Sequence, residues 1–313
     1  MAHLISAQTS PFLQTVGRDE CIDILKGAGF EAVDYGISSY AVYAYAARHE
    51  GDSLFEKSDA EVLSYFHEET EAFRKSGLVI GQTHAPFPSN RLTDTGVEWG
   101  EHHQRLARLA LQITADAGCP YMVLHPVFNN HIYYDGNAEL AAYHWEQNLQ
   151  FLRPLFPLLK DTGVKILLEN MWGRVFQTVP IFPSVISHAP EFIEWIDRLN
   201  EEAGAELFGA CLDTGHAILT GDDPAQMVTA LGTRLKALHM HDVRPDHDMH
   251  TTMFEGDCDW AALADALAAS PYTGTLNYET GGFPKSRPQE LYRACAALMA
   301  EGARWFRARV DGE

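Results

Sequence analysis

The sequence predicts an α/β fold: a (β/α)8 TIM barrel, eight parallel strands closed on themselves with the active site at their C-terminal ends. Three observations predict it. Strand-like apolar runs alternate with amphipathic helical stretches along the chain. Six of those runs end on a side chain that can bind a metal, at intervals of 26 to 44 residues, and one strand, helix and pair of loops takes about 30 residues. No G-x-G-x-x-G turn follows the first run and no P-loop is present, so open nucleotide-binding sheets lack their phosphate turn.

The first two strands are expected at His3 to Ala7 and Glu31 to Ile37. The other six are Val79 to His84, Tyr121 to His125, Lys165 to Glu169, Gly209 to Asp213, Leu235 to His239 and Thr275 to Glu279. Helical patterns lie between them at Asp19 to Gly27, Asp59 to Ser76, Val97 to Ala117, Ala138 to Lys160, Glu191 to Ala203, Pro224 to Leu231 and Trp260 to Ala269, and Pro288 to Arg309 closes the chain. Ser58 and Glu61 have the spacing of a capping box. Gly77, Gly118 and Gly163 stand just past helix ends, where a left-handed residue is wanted.

With 313 residues, 46% of them hydrophobic, the chain suffices for one large barrel domain spanning 1–313. No linker, charge block or low-complexity stretch divides it. Met1 to Ser10 is too short and polar for a signal peptide, and no apolar run approaches the roughly 20 residues of a membrane span. Lys and Arg number 23 against 43 Asp and Glu, a formal charge of −20. That field repels nucleic acid, so neither nucleic acid nor membrane is expected as a partner. Five scattered cysteines without a C-x-x-C pair fit reduced thiols in a cytoplasmic protein.

Long loops follow four strands, at 38–57, 128–137, 171–189 and 243–259. They carry Tyr40, Tyr43, Tyr45, Phe128, Tyr133, Tyr134, Trp172, Phe176 and Phe182. Their rings can stack on a sugar face or pack together as a lid; the sequence leaves both open. The rings near Tyr40 to Tyr45 also fit an interface of a homo-oligomer.

Glu169, Asp213, His239 and Glu279 end four strands in phase. Carboxylate oxygens with one imidazole suit Mn²⁺, Mg²⁺, Co²⁺ or Zn²⁺, and the absence of a thiolate argues against a closed structural zinc site. One such carboxylate is ordinarily a helix cap or a salt-bridge partner. Three desolvated together without a cation would be costly. His84, His125, His216, His241, Asp248 and His250 lie near in sequence and are candidates for further metal or substrate contacts; His241 competes with His239 for the ligand role. Trp172 and Arg174 are candidates for substrate contact, with a surface salt bridge as the alternative for Arg174. No Gly-x-Ser-x-Gly elbow and no H-E-x-x-H exists.

At Leu167-Leu168-Glu169-Asn170, Cys211 to His216, Leu238 to Asp242, Phe254 to Trp260 and Tyr278-Glu279-Thr280, the chain resembles the xylose isomerase-like TIM barrel superfamily. That group holds sugar and sugar-phosphate isomerases and epimerases, including the D-tagatose 3-epimerase family, inositol-catabolism enzymes and the endonuclease IV family. The resemblance implies one divalent ion held by Glu169, Asp213, His239 and Glu279. His239 is favoured over His241 because the family His stands three residues before an acidic residue, here Asp242. It also implies Glu169 and Glu279 as the catalytic pair that exchanges a proton beside a substrate carbonyl, and a substrate contact for His216. In the endonuclease IV branch nine ligands hold three zinc ions, and His84, His125, Glu169, Asp213, His216, His239, Asp248, His250 and Glu279 match them by type. The chain departs from that branch at Met249, where it has Arg, at Met240-His241-Asp242-Val243-Arg244, and in net charge. Phe254 replaces the glycine usual before Glu255-Gly256.

The expected function is therefore a divalent-metal-dependent isomerase or epimerase acting on a small sugar or polyol-derived ketose through an enediolate, with an unphosphorylated sugar preferred. The alternatives are a multi-zinc phosphodiesterase on abasic DNA and a metal-dependent dehydratase or lyase on the same scaffold.

Overall fold

The computed structural model describes residues 2–39, 54–87, 91–92, 97–98, 100–129, 131–133, 136–174 and 180–312. Eight parallel strands form one sheet: β1 (Ile5–Gln8), β2 (Ala32–Gly36), β3 (Val79–His84), β4 (Tyr121–Leu124), β5 (Lys165–Glu169), β6 (Phe208–Asp213), β7 (Leu235–His239) and β8 (Leu276–Tyr278). From β1 to β7 each strand pairs with the next, and β8 pairs with β1. The remaining gap closes just past β7. There Met240 N–H donates to Asn277 O at 2.9 Å, and Glu279 N–H donates to Met240 O at 3.0 Å. The chain is thus a (β/α)8 barrel, with helices between the strands and the last helix, Tyr292–Asp311, packed against Arg18–Ala28.

Strand alternation decides what faces the barrel interior. Ile166, Leu168, Ala210, Leu212 and Leu238 point outward into the main core beneath the helices. Val123, Leu167, Cys211 and Ala237 form a separate buried cluster. Each of these four stands two residues before a candidate ligand: His125, Glu169, Asp213 and His239. They make the apolar half of an interior layer directly under the ligands. The other half is polar: Ser6, Asp34, Gln82 and Asn277, all at most 1% exposed. Burial pushes the Cys211 thiol up to about 12, so it packs there as a neutral group.

Local signals end the helices where the sequence places them. Ser58 accepts from Glu61 N–H while the Glu61 carboxylate accepts from Ser58 N–H, a complete capping box on Asp59–Lys75. Gly77, Gly118 and Gly163 have φ of 90°, 69° and 73°.

Three stretches differ from the sequence expectation. The helix expected over Ala138 to Lys160 splits into Ala138–Leu152, a 3-10 turn Arg153–Leu155, and Phe156–Thr162. Pro154 and Pro157 cannot donate to the preceding turn, so each starts a new segment. The helix expected from Val97 starts at Glu101, because Val97–Glu98 pairs with Arg91–Leu92. The loop expected at 243–259 holds a ribbon, Asp242–Arg244 against His247–Thr251. Of the loop aromatics, Tyr40, Tyr43, Tyr45, Tyr134 and Phe176 lie outside the described residues.

Phe254 has φ of 68° and is 64% exposed, a backbone state that suits glycine and costs other residues about 1–2 kcal/mol. Its ring lies edge-on to Trp305 at 5.1 Å, which offsets part of that cost. Two residues on, a Cβ at Gly256 would fall 2.2 Å from Val243 O and 2.4 Å from Asp242 Oδ1. Asp242 needs that room: its carboxylate accepts from Trp260 Nε1, Val243 N–H and Cys258 N–H at 3.0–3.1 Å.

Candidate metal centre

The C-terminal ends of the strands bring Glu169, Asp213, His239 and Glu279 together, with one donor atom of each within 4.8 Å of the others. All four are buried. His239 Nδ1 lies 3.2 Å from Glu169 Oε2 and 3.0 Å from Glu279 Oε2. Those three atoms have no hydrogen-bond partner. Three buried polar atoms aimed at one point and left unsatisfied would cost several kcal/mol, and a divalent cation between them satisfies all three. The donor set therefore fits a hard or borderline divalent ion.

The carboxylates are held by their other oxygens. Gln8 Nε2 donates to Glu279 Oε1 at 2.6 Å. Asp213 Oδ1 caps the helix Thr214–Leu219 by accepting from His216 N–H at 2.7 Å. Asn170 clamps the backbone of Asp213 from both sides, donating to its O at 3.0 Å and accepting from its N–H at 2.8 Å. His239 is fixed from below: its Nε2 lies 3.0 Å from Asp34 Oδ2.

A second layer of imidazoles surrounds the four. His125 Nε2 and His84 Nε2 lie 3.2 and 3.5 Å from Glu169 Oε2. His84 Nδ1 donates to Ala85 O at 2.9 Å, which leaves Nε2 free to accept or to ligate. On the other side His216, His241, Asp248 and His250 form a separate group with donor atoms equally close. His216 Nδ1 donates to Asn170 O at 2.9 Å, and its Nε2 is 3.9 Å from Asp248 Oδ2. His250 adopts a left-handed φ of 43°, which brings its Nδ1 3.1 Å from Glu279 O and its Nε2 3.2 Å from Asp248 Oδ2. His241 does not join the first group. Its Nε2 faces both oxygens of Asp213 at 2.9 and 3.0 Å, and its ring stacks on His250 with centroids 4.0 Å apart.

The comparisons with known proteins agree with this architecture. Residues 22–309 match the family model described as xylose isomerase-like TIM barrel. The chain belongs to the xylose isomerase-like TIM barrel family. Within it, the chain is 24% identical over 282 residues to the uncharacterized protein y4fM of Sinorhizobium fredii, covering 83% of this chain and 79% of that one. It is 26% identical over 163 residues to an inosose dehydratase of Clostridium botulinum. That match spans 47% of this chain and half of the dehydratase's length. Among solved structures, an L-ribulose 3-epimerase superposes with a TM-score of 0.67 at 15% identity, covering 99% of this chain and 97% of that one. The IOLI protein with a bound zinc atom superposes at 0.65 and 15% identity, covering 98% and 97%. At such identities the two structures share the fold.

The charges of this family member reinforce one another. Burial pushes Glu169 up, but His239 and His125 beside it hold it well below the usual carboxylate range. Glu279 is depressed likewise, by His239 and His250 against burial. Burial lowers His250, yet Asp248 beside it brings it up to about 10. The pocket thus keeps its carboxylates ionised, the state a cation requires.

Of the other expected contacts, Trp172 stands edge-on to His216 at 6.2 Å and is half-buried at the rim. Arg174 donates from Nη2 to Asp246 O at 3.3 Å on the exposed surface. Tyr133 packs edge-on to Phe182 at 5.3 Å. Among the described residues no helix is long and apolar enough to cross a membrane. Sequence reasoning missed Asp34, Gln8 and Phe87, whose ring stacks on His125 at 4.5 Å and is 45% exposed. The signal for Asp34 was present: a lone carboxylate in the middle of an apolar strand.

Proposed function

We propose that the chain is a divalent-metal-dependent isomerase or epimerase of a small sugar or polyol-derived ketose. The observation that carries this is the convergence of Glu169 Oε2, Glu279 Oε2 and His239 Nδ1, all buried and without a hydrogen-bond partner. Glu169, Asp213, His239 and Glu279 would hold the ion. When bound it supplies Lewis-acid polarisation of a substrate carbonyl.

The chain's own groups do the proton work. Glu169 rises from β5 and Glu279 from just past β8, so the two carboxylates approach a bound ligand from different strands. One removes the proton on the carbon beside the carbonyl, and the other returns a proton on its own side, which inverts that carbon. Gln8 orients Glu279 by donating to Oε1, and His84 and His125 stand over Glu169. Trp172 and Phe87 offer ring faces at the rim for the C–H face of a sugar. Formal charge of −20 favours an uncharged substrate over an anionic one or nucleic acid. Free cysteines fit a reducing compartment.

The inosose dehydratase relative supports a second reading, since expulsion of water begins with the same proton abstraction. Incubating the Mn²⁺-loaded chain with ketoses and following products by NMR separates the two. Paired epimers support the isomerase reading, a product lighter by one water supports the dehydratase, and nicking of an abasic duplex with about three zinc ions per chain supports the nuclease.

A further inference from the structure

We propose that Asp34 is the positioning residue of the metal centre: its Oδ2 accepts the Nε2–H of His239 and so aims the Nδ1 lone pair at Glu169 and Glu279. This rests on the metal reading above and concerns a residue on the opposite side of the barrel from the strands that carry Glu169 and Asp213.

The geometry is specific. Asp34 lies mid-way along β2 and is fully buried. Its Oδ2 is 3.0 Å from His239 Nε2, 3.1 Å from Gln82 Nε2 and 3.3 Å from Asn277 Nδ2. Asn277 is oriented in turn by Ser6, whose hydroxyl donates to its Oδ1 at 2.8 Å. Donors from β3, β7 and β8 thus converge on one carboxylate oxygen of β2, with β1 supporting the β8 donor. A carboxylate accepts only, so the imidazole nitrogen facing it carries the proton. A neutral imidazole then has its lone pair on the other nitrogen, the one that faces the two glutamates.

A purely structural role explains Asp34 poorly. TIM-barrel interiors are filled by layers of branched apolar side chains, and the other half of this same layer is Val123, Leu167, Cys211 and Ala237. A buried anion in such a layer is weak for stability compared with an apolar side chain of similar volume. Its Oδ1 has no hydrogen-bond partner, so the carboxylate is not there to satisfy neighbours on both sides. Besides the Gln82 and Asn277 amides, its Oδ2 satisfies the one ring nitrogen that must be protonated for the other to ligate. Carboxylate partners of ligating histidines fix the tautomer and ring orientation, and their loss lowers metal affinity 10- to 100-fold.

The test compares Co²⁺ binding to wild type, Asp34→Asn and Gln82→Met by calorimetry and by the visible spectrum of the bound ion. Expected are 10- to 100-fold weaker binding and an altered Co²⁺ spectrum for Asp34→Asn, against less than a 3-fold change for Gln82→Met, which leaves the carboxylate on His239. Should Asp34→Asn fold poorly, long-range ¹H–¹⁵N NMR of the Zn²⁺-loaded wild type decides instead: there His239 carries its one proton on Nε2. A His239 protonated on Nδ1, or an Asp34→Asn chain that binds Co²⁺ as tightly as wild type with the same spectrum, overturns the proposal while leaving the metal reading intact. A wild-type chain that binds no Co²⁺ overturns the metal reading and this inference with it.

Discussion

His241 Nε2 lies 2.9 and 3.0 Å from the two carboxylate oxygens of Asp213. His239, two residues earlier, instead turns Nδ1 toward Glu169 and Glu279. One strand end thus supplies two imidazoles to two different tasks. The strand pairing of β7 stops at His239, and Met240 is taken up by the bridge to β8. Beyond that bridge His241 reaches sideways to the end of β6.

Replacing His241 by Ala removes a hydrogen bond from a buried carboxylate that is a proposed ligand. Mn²⁺ affinity is expected to fall about 10- to 100-fold, measured by titration with paramagnetic resonance. Gly215→Ala should act in the same direction, because its Cβ would lie 2.0 Å from His241 Cε1 and force that ring aside. Unchanged affinity in both variants contradicts a supporting role for His241.

Glu169→Gln and Glu279→Gln keep the shape of each side chain and remove the base. Each is expected to lower turnover about 10²- to 10⁴-fold with the circular dichroism spectrum unchanged. A variant retaining more than a tenth of wild-type turnover removes that glutamate from the catalytic pair.

Because the ligands are spread over β5, β6, β7 and β8, an ion bound by them clamps half of the barrel. Metal at 100 times its dissociation constant should stabilise the fold by about 2.7 kcal/mol, a rise in Tm of roughly 5 °C. Chelation should reverse it. A Tm indifferent to Mn²⁺, Co²⁺ and Zn²⁺ is the contrary result.

His144 gives a pH prediction outside the site. It is 2% exposed on the helix Ala138–Leu152, and burial pushes its pKa down from 6.5 to about 4. The folded state therefore favours the neutral ring. Its contribution is fully present above the unfolded pKa and is lost as pH falls from about 6.5 through about 4, by on the order of 3 kcal/mol. Urea denaturation from pH 7 to pH 4 should show a smaller acid loss in His144→Gln than in wild type. Equal losses contradict it.

The barrel was legible because its strands are short apolar runs, buried on both faces, each followed by an amphipathic helix. Six of those runs end on His, Glu or Asp, and the recurrence of that ending along the chain marks one rim of a parallel sheet. Glu169, Asp213, His239 and Glu279 were legible for the same reason, since each terminates its run. Asp34 left a signal, a carboxylate inside an apolar strand, but its partner was hidden, because only the closed barrel brings it under His239. Strand period alone puts His239 and His241 on one side, and the preference for His239 came from the family resemblance. The grouping of donor atoms puts His239 with Glu169, Asp213 and Glu279, and His241 with His216, Asp248 and His250. The 3-10 break at Pro154 was readable from the two prolines and the expected helix ran through it.

The most direct measurement of the central claim is deuterium uptake from D₂O by the Mn²⁺-loaded chain over a panel of ketopentoses and ketohexoses, read by NMR and mass spectrometry. One solvent deuteron is expected on the carbon beside the carbonyl in at least one sugar, lost in Glu169→Gln and Glu279→Gln. A metal-loaded protein that exchanges no carbon-bound proton in any of them contradicts it.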